Sequence, residues 1–131
     1  MRHAAIMASL LAALLPAAAR AQQASDVEQA ALAEIAKCML VGLPKDWRQA
    51  EMTVELPSVN AEGGEARYFF RRNLSGGDYE AFAPCDYQKP ARTLVALRKS
   101  QAPDRAAWTS ARFILYSDGK FDLKYDYPKA Q

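Results

Sequence analysis

Glu51 and Glu55 are the residues of this sequence best placed for acid–base chemistry. Two carboxylates flanking a glycosidic bond hydrolyse it when they stand about 5 Å apart for retention, or up to about 9.5 Å apart for inversion. Here both belong to the alternating run Gln49 to Leu56, a strand signature, and a spacing of four residues puts them on one face about 13 Å apart. That is too far for either geometry without a third partner, so the pair reads as the solvated face of a strand. No other catalytic pattern is evident. The one histidine, His3, lies in a segment with the character of a leader, which leaves the rest without a Ser-His or Cys-His pair, a histidine base or a histidine metal site. Cys38 and Cys85 are too far apart in sequence for a zinc or CxxC redox motif, and no metal site is expected. Gly63-Gly64 and Gly76-Gly77 sit in turns between strands, so neither makes a phosphate-binding loop and no cofactor is implied.

The segment Met1 to Ala21 has the layout of a secretory signal peptide. Arg2 and His3 open it, an apolar run from Ala4 to Ala19 follows, and Ala19-Arg20-Ala21 fits a small-x-small cleavage site after Ala21. The apolar run is short for a membrane span and contains Pro16, so no stable membrane insertion is expected after cleavage. Residues 22–131 would then form a single domain. The loss of Arg2 and Arg20 lowers the basic residues from 17 to 15, which balances the 15 acidic ones. Zero net charge argues against nucleic-acid binding, although Arg67 to Arg72 interleaves arginines with Tyr68, Phe69 and Phe70 in a manner suited to stacking on bases. Export would place the protein in the periplasm, where Cys38 and Cys85 are expected to pair. Spacing alone leaves two buried free thiols as the alternative.

The elements that must position these residues follow from periodicity. Ser25 and Glu28 suggest a capping box ahead of a helix to Leu40, with Ala31, Leu32, Ile35, Cys38 and Met39 as its apolar stripe and Gly42 and Pro44 ending it. Strands follow at Gln49–Leu56, Glu65–Arg72 and Asp78–Ala83. Asp86 is a candidate cap for a short helix over Ala91–Ser100, in which Arg92, Arg98 and Lys99 are expected on the polar side. Trp108 to Tyr127 closes the chain as a hairpin around Asp118-Gly119, for which a two-residue type I′ turn is expected. Phe121, Leu123, Tyr125 and Tyr127 alternate there with Lys120, Asp122, Lys124 and Asp126. The order α-β-β-β-α-β-β predicts an α+β fold: a mostly antiparallel sheet of about five strands with two helices packed on one face. The other face, with Glu51, Thr53, Glu55, Asp122, Lys124 and Asp126, is expected to stay open and acidic.

The combination of Trp47, Tyr68-Phe69-Phe70, Trp108-Thr109-Ser110, Ser117-Asp118-Gly119-Lys120-Phe121 and Tyr125-Asp126-Tyr127 resembles the YezG-like immunity protein family over roughly Val27 to Tyr127. The resemblance implies a small non-enzymatic α+β protein that protects a bacterium by binding a protein toxin, with no catalytic residues to carry over. Such families are mostly cytoplasmic and many of their partners are nucleases, whereas this chain carries an export signal. A shorter second helical region is a further departure. The implied partner is therefore a toxin acting in the periplasm, expected to be encoded by an adjacent gene, and the candidate contact residues are Glu51, Glu55, Trp108, Asp122 and Asp126. A competing expectation is an exported, non-catalytic binding module for a small ligand or envelope component, which would need a closed apolar pocket between sheet and helices.

Overall fold

The computed structural model describes residues 16–128, so residues 1–15 of the expected signal peptide lie outside the described residues. Helix α1 (Pro16–Leu40) is followed by β1 (Gln49–Glu55), β2 (Glu65–Arg71) and the two-residue β3 (Glu80–Ala81). Next come α2 (Lys89–Ala96), a 3₁₀ turn (Leu97–Ser100), the short α3 (Pro103–Ala106), and the hairpin β4 (Ser110–Tyr116) and β5 (Phe121–Asp126). The strands form one sheet in the order β3-β2-β1-β4-β5, antiparallel at every pairing. The fold is α+β, as the order of sequence patterns implies.

The even-numbered residues of β1 and β2 and the odd-numbered residues of β4 point to one side and make the core. Ala50, Met52 and Val54 are fully buried there beside Ala66, Tyr68, Phe70, Ala111, Phe113 and Leu115. Leu32, Ile35 and Met39 of α1, Ala91 and Leu94 of α2, and Leu97 of the 3₁₀ turn join the same cluster, so all the helical stripes lie on that side of the sheet. Each Val, Leu, Ile, Phe or Met side chain so removed from water contributes roughly 1.5–3 kcal/mol, which is why strict alternation holds the register. Tyr68 keeps its hydroxyl satisfied in this setting by donating to the carbonyl of Tyr87 at 2.8 Å, and burial raises its pKa.

Cys38 and Cys85 form a disulfide with their Cα atoms 4.8 Å apart. Beside it the Cys85 N–H donates to the Cys38 carbonyl at 2.8 Å, fastening the segment after β3 to the end of α1. Gly42 lies under the same segment; a Cβ there would overlap the carbonyl oxygen of Ala83. Among the described residues, no helix is long and apolar enough to cross a membrane.

Three local expectations are corrected. Ser25 is not a cap, because α1 is already helical from Pro16 and Ser25 lies within it; the alanines at 17–19, 21 and 24 are strong helix formers that extend it past the capping box. The hairpin turn contains three residues, Ser117 to Gly119, not two. Gly119 N–H donates to the Tyr116 carbonyl and Tyr116 N–H to the Lys120 carbonyl, each at 2.9 Å, and only Gly119 takes a positive φ, 92°. Asp118 stays at negative φ and its Oδ1 accepts the Lys120 N–H at 3.0 Å, the arrangement of a type I turn followed by a glycine bulge. Finally, β3 is cut to Glu80–Ala81, which pair with Phe70 and Phe69 alone, and just beyond it Cys85 is bridged to Cys38 and donates its N–H to the Cys38 carbonyl.

Candidate functional site

The side of the sheet away from the helices has no covering element among the described residues, and its composition follows from strand register. One row across it runs Phe69, Glu51, Ile114, Asp122; the next runs Arg67, Thr53, Arg112, Lys124. Beyond them lie Arg71, Gln49 and Tyr116 on one side, and Glu65, Glu55, Ser110 and Asp126 on the other. Ile114 is only 5 % exposed despite facing outward, since it stands in the middle of the sheet among long side chains. Phe69 and Tyr116 are half-buried. The face therefore carries the half-buried Phe69 and Tyr116 among charged side chains, with Glu51 standing between Phe69 and Ile114.

The charge on this face is mixed, not acidic. Glu51, Glu55, Glu65, Asp122 and Asp126 are set against Arg67, Arg71, Arg112 and Lys124. Arg112 Nε reaches Glu51 Oε1 at 3.0 Å, leaving the glutamate side chain 15 % exposed, and Arg67 forks onto Glu65 Oε1 at 3.2 and 3.1 Å. The expected acidic surface is corrected for a simple reason: β2 and β4 contribute arginines at positions beside the β1 glutamates.

At the β2 end of the face, Arg71 donates from Nε and Nη2 to Gln49 Oε1 at 3.0 and 2.7 Å. The same guanidinium lies 5.2 Å from the centre of the Tyr79 ring. Gln49 Nε2 in turn meets the Tyr79 hydroxyl at 3.5 Å. This chain links β1, β2 and the approach to β3 into one polar edge. Nearby, Arg72 bonds both Asp46 and Glu80, and its guanidinium holds the Asp46 carboxyl below its ordinary pKa.

Of the five residues put forward as contacts, the structure brings Glu51, Glu55, Asp122 and Asp126 onto this face and separates Trp108 from them. Trp108 is fully buried on the helix side, so it is corrected from a contact residue to a core residue. Its ring stacks on Tyr125 with centroids 5.2 Å apart, and burial pushes the Tyr125 hydroxyl up to about 12.

Sequence context places Arg98 on the polar side of a helix, yet the side chain turns inward. It donates to the carbonyls of Val59 at 2.7 Å, Ala61 at 3.3 Å and Trp108, and its guanidinium lies 4.3 Å from the centre of the Trp108 ring. Desolvation lowers its pKa. The available signal is its spacing of four from Leu94, which puts both on one helical stripe.

Between sheet and helices, the space is filled by Trp108, Tyr68, Phe113, Met39 and Met52, all at most 1 % exposed. A hollow of about 530 Å³ lies instead at the hairpin turn, lined by Tyr116 and residues 118–122. The arrangement can offer a broad, mixed-charge surface to another macromolecule. Compared with known proteins, the chain matches no family model and no curated sequence.

Proposed function

We propose that this protein is a periplasmic immunity protein, which binds and neutralises a protein toxin delivered by competing or sibling bacteria. The observation that carries the reading is the uncovered sheet face, on which the half-buried Phe69 stands among paired charges. An uncovered face of this kind suits a protein partner, because interfaces between proteins commonly set an aromatic side chain among polar groups and arginines. The filled layer beneath the helices favours that partner over a small ligand. The disulfide is compatible with export. Complementarity would come from a toxin surface of mixed charge, with Glu55, Arg67 and Arg112 exposed to meet it.

The test is co-purification with the product of the adjacent gene, joined to rescue of cells in which that product is directed to the periplasm. Protection should require the leader and should be lost on Phe69→Lys in a protein that remains folded. Val27→Lys, on an exposed position of α1, should leave protection intact. Rescue that persists without the leader would overturn the compartment.

A further inference from the structure

We infer that β5 is a self-pairing edge, through which two copies of this chain join into one continuous sheet. The sheet has two ends, and they differ. At one end β3 is two residues long and Glu80 is engaged by Arg72. At the other, β5 presents six residues with no strand beyond it among the described residues. The Tyr116–Lys120 hydrogen bond sets the phase of that hairpin: Asp122, Lys124 and Asp126 turn their backbone groups to β4, and Phe121, Leu123 and Tyr125 turn theirs outward.

The side chains then select the partner. An antiparallel second copy centred on Leu123 would set Leu123 against Leu123, Phe121 against Tyr125, Asp122 against Lys124, and Lys120 against Asp126. Each mixed pair would occur twice by symmetry. Every charge thus meets its opposite, and the outward backbone groups of Phe121, Leu123 and Tyr125 pair with one another. Moving the centre to Asp122 sets Asp122 on Asp122 and Lys120 on Lys124. Moving it to Lys124 sets Lys124 on Lys124 and Asp122 on Asp126. One register is attractive and its two neighbours are repulsive, which is stricter complementarity than an edge protected by charge requires.

The strand is also short of partners within its own chain. Lys120, Asp122, Lys124 and Asp126 are exposed and form no ion pair with another described residue. On the helix side Phe121 remains 36 % exposed, and Leu123 and Tyr125 are half-buried. A symmetric copy would continue the same apolar row and cover them, with both sets of helices on one side. This inference is independent of the toxin partner proposed above.

The experiment is sedimentation of the exported, disulfide-bonded protein over a range of concentration, with circular dichroism to confirm that each variant is folded. Wild type should pass from monomer to dimer. Asp122→Lys and Lys124→Asp should each weaken self-association about tenfold, since each places like charges together twice. Mixing the two single variants should restore a dimer, because the lysine introduced in one chain then meets the aspartate introduced in the other. Wild type that stays monomeric overturns the inference, as do single variants that dimerise as well as wild type, or a mixture that fails to associate.

Discussion

Arg98 holds its guanidinium 4.3 Å from the centre of the Trp108 ring while donating to the backbone carbonyl of that same residue. The indole nitrogen of Trp108 has no hydrogen-bond partner among the described residues, so Trp108 is held by its faces and its backbone. Through Val59 and Ala61 the same arginine ties down the loop between β1 and β2. One cation therefore fixes the entry to β4 and the crossing loop together.

Arg98→Lys keeps the charge but loses the planar fork that reaches several carbonyls and stacks on an aromatic ring. The expected loss is about 2–3 kcal/mol in urea denaturation, with faster amide exchange in residues 57–64. A loss below about 0.5 kcal/mol, the range of an ordinary surface change, would show that the clamp is dispensable.

Gly42→Ala places a methyl group against backbone, in overlap with the Ala83 carbonyl oxygen. The end of α1 or the segment after β3 must shift, and a cost of about 1–3 kcal/mol is expected. Gly63→Ala is the control, because a Cβ there meets nothing within 4 Å. Thermal melting of the two variants side by side checks the contrast.

Asp86 contributes a stability that depends on pH. Its Oδ1 accepts the N–H groups of Gln88 at 2.8 Å and Lys89 at 3.1 Å, and these hold the carboxyl below its ordinary range. A folded-state pKa below the unfolded one gives stability that is present above about pH 4 and is lost as the pH falls through the depressed value. Asp86→Asn should flatten the acid limb of the stability curve in that window and leave the limb near neutrality unchanged. Denaturant titrations at stepped pH would read the difference, and an unaltered acid limb would count against this role.

Reduction of the Cys38–Cys85 bridge should cost about 4 kcal/mol by the chain-entropy model for a separation of 47 residues. Melting with and without a reductant measures it. The unreduced protein should weigh two hydrogens less than the reduced form.

The sheet is legible in the sequence where one side of a strand is dry and the other wet. Met52 and Val54 alternate with Glu51, Thr53 and Glu55, and their burial follows that alternation. The same rule says less about β5: Phe121 and Tyr125 carry the core pattern but stand at the edge, beyond full cover. The charge of the open face is not legible from the glutamates of β1 alone, because pairing sets arginines beside them, Arg112 next to Thr53 on one flank and Arg67 on the other. Cross-strand neighbours are a property of register, which local patterns do not state. The contacts of Arg98 and Trp108 are hidden for a related reason, since they join the 3₁₀ turn, the β1–β2 loop and the start of β4, segments that no single sequence period connects.

The disulfide also divides the chain mechanically. Residues 38 to 85 form a covalent ring that contains β1, β2 and β3, while most of α1 and the whole β4–β5 hairpin are tails outside it. Pulled by its two ends, the oxidised molecule can surrender its tails but not the ring, and about 160 Å of extended chain stays hidden from the pull. A machine that threads the protein from either terminus must therefore draw three backbone segments abreast beyond the bridge, the two arms of the ring and the remaining tail.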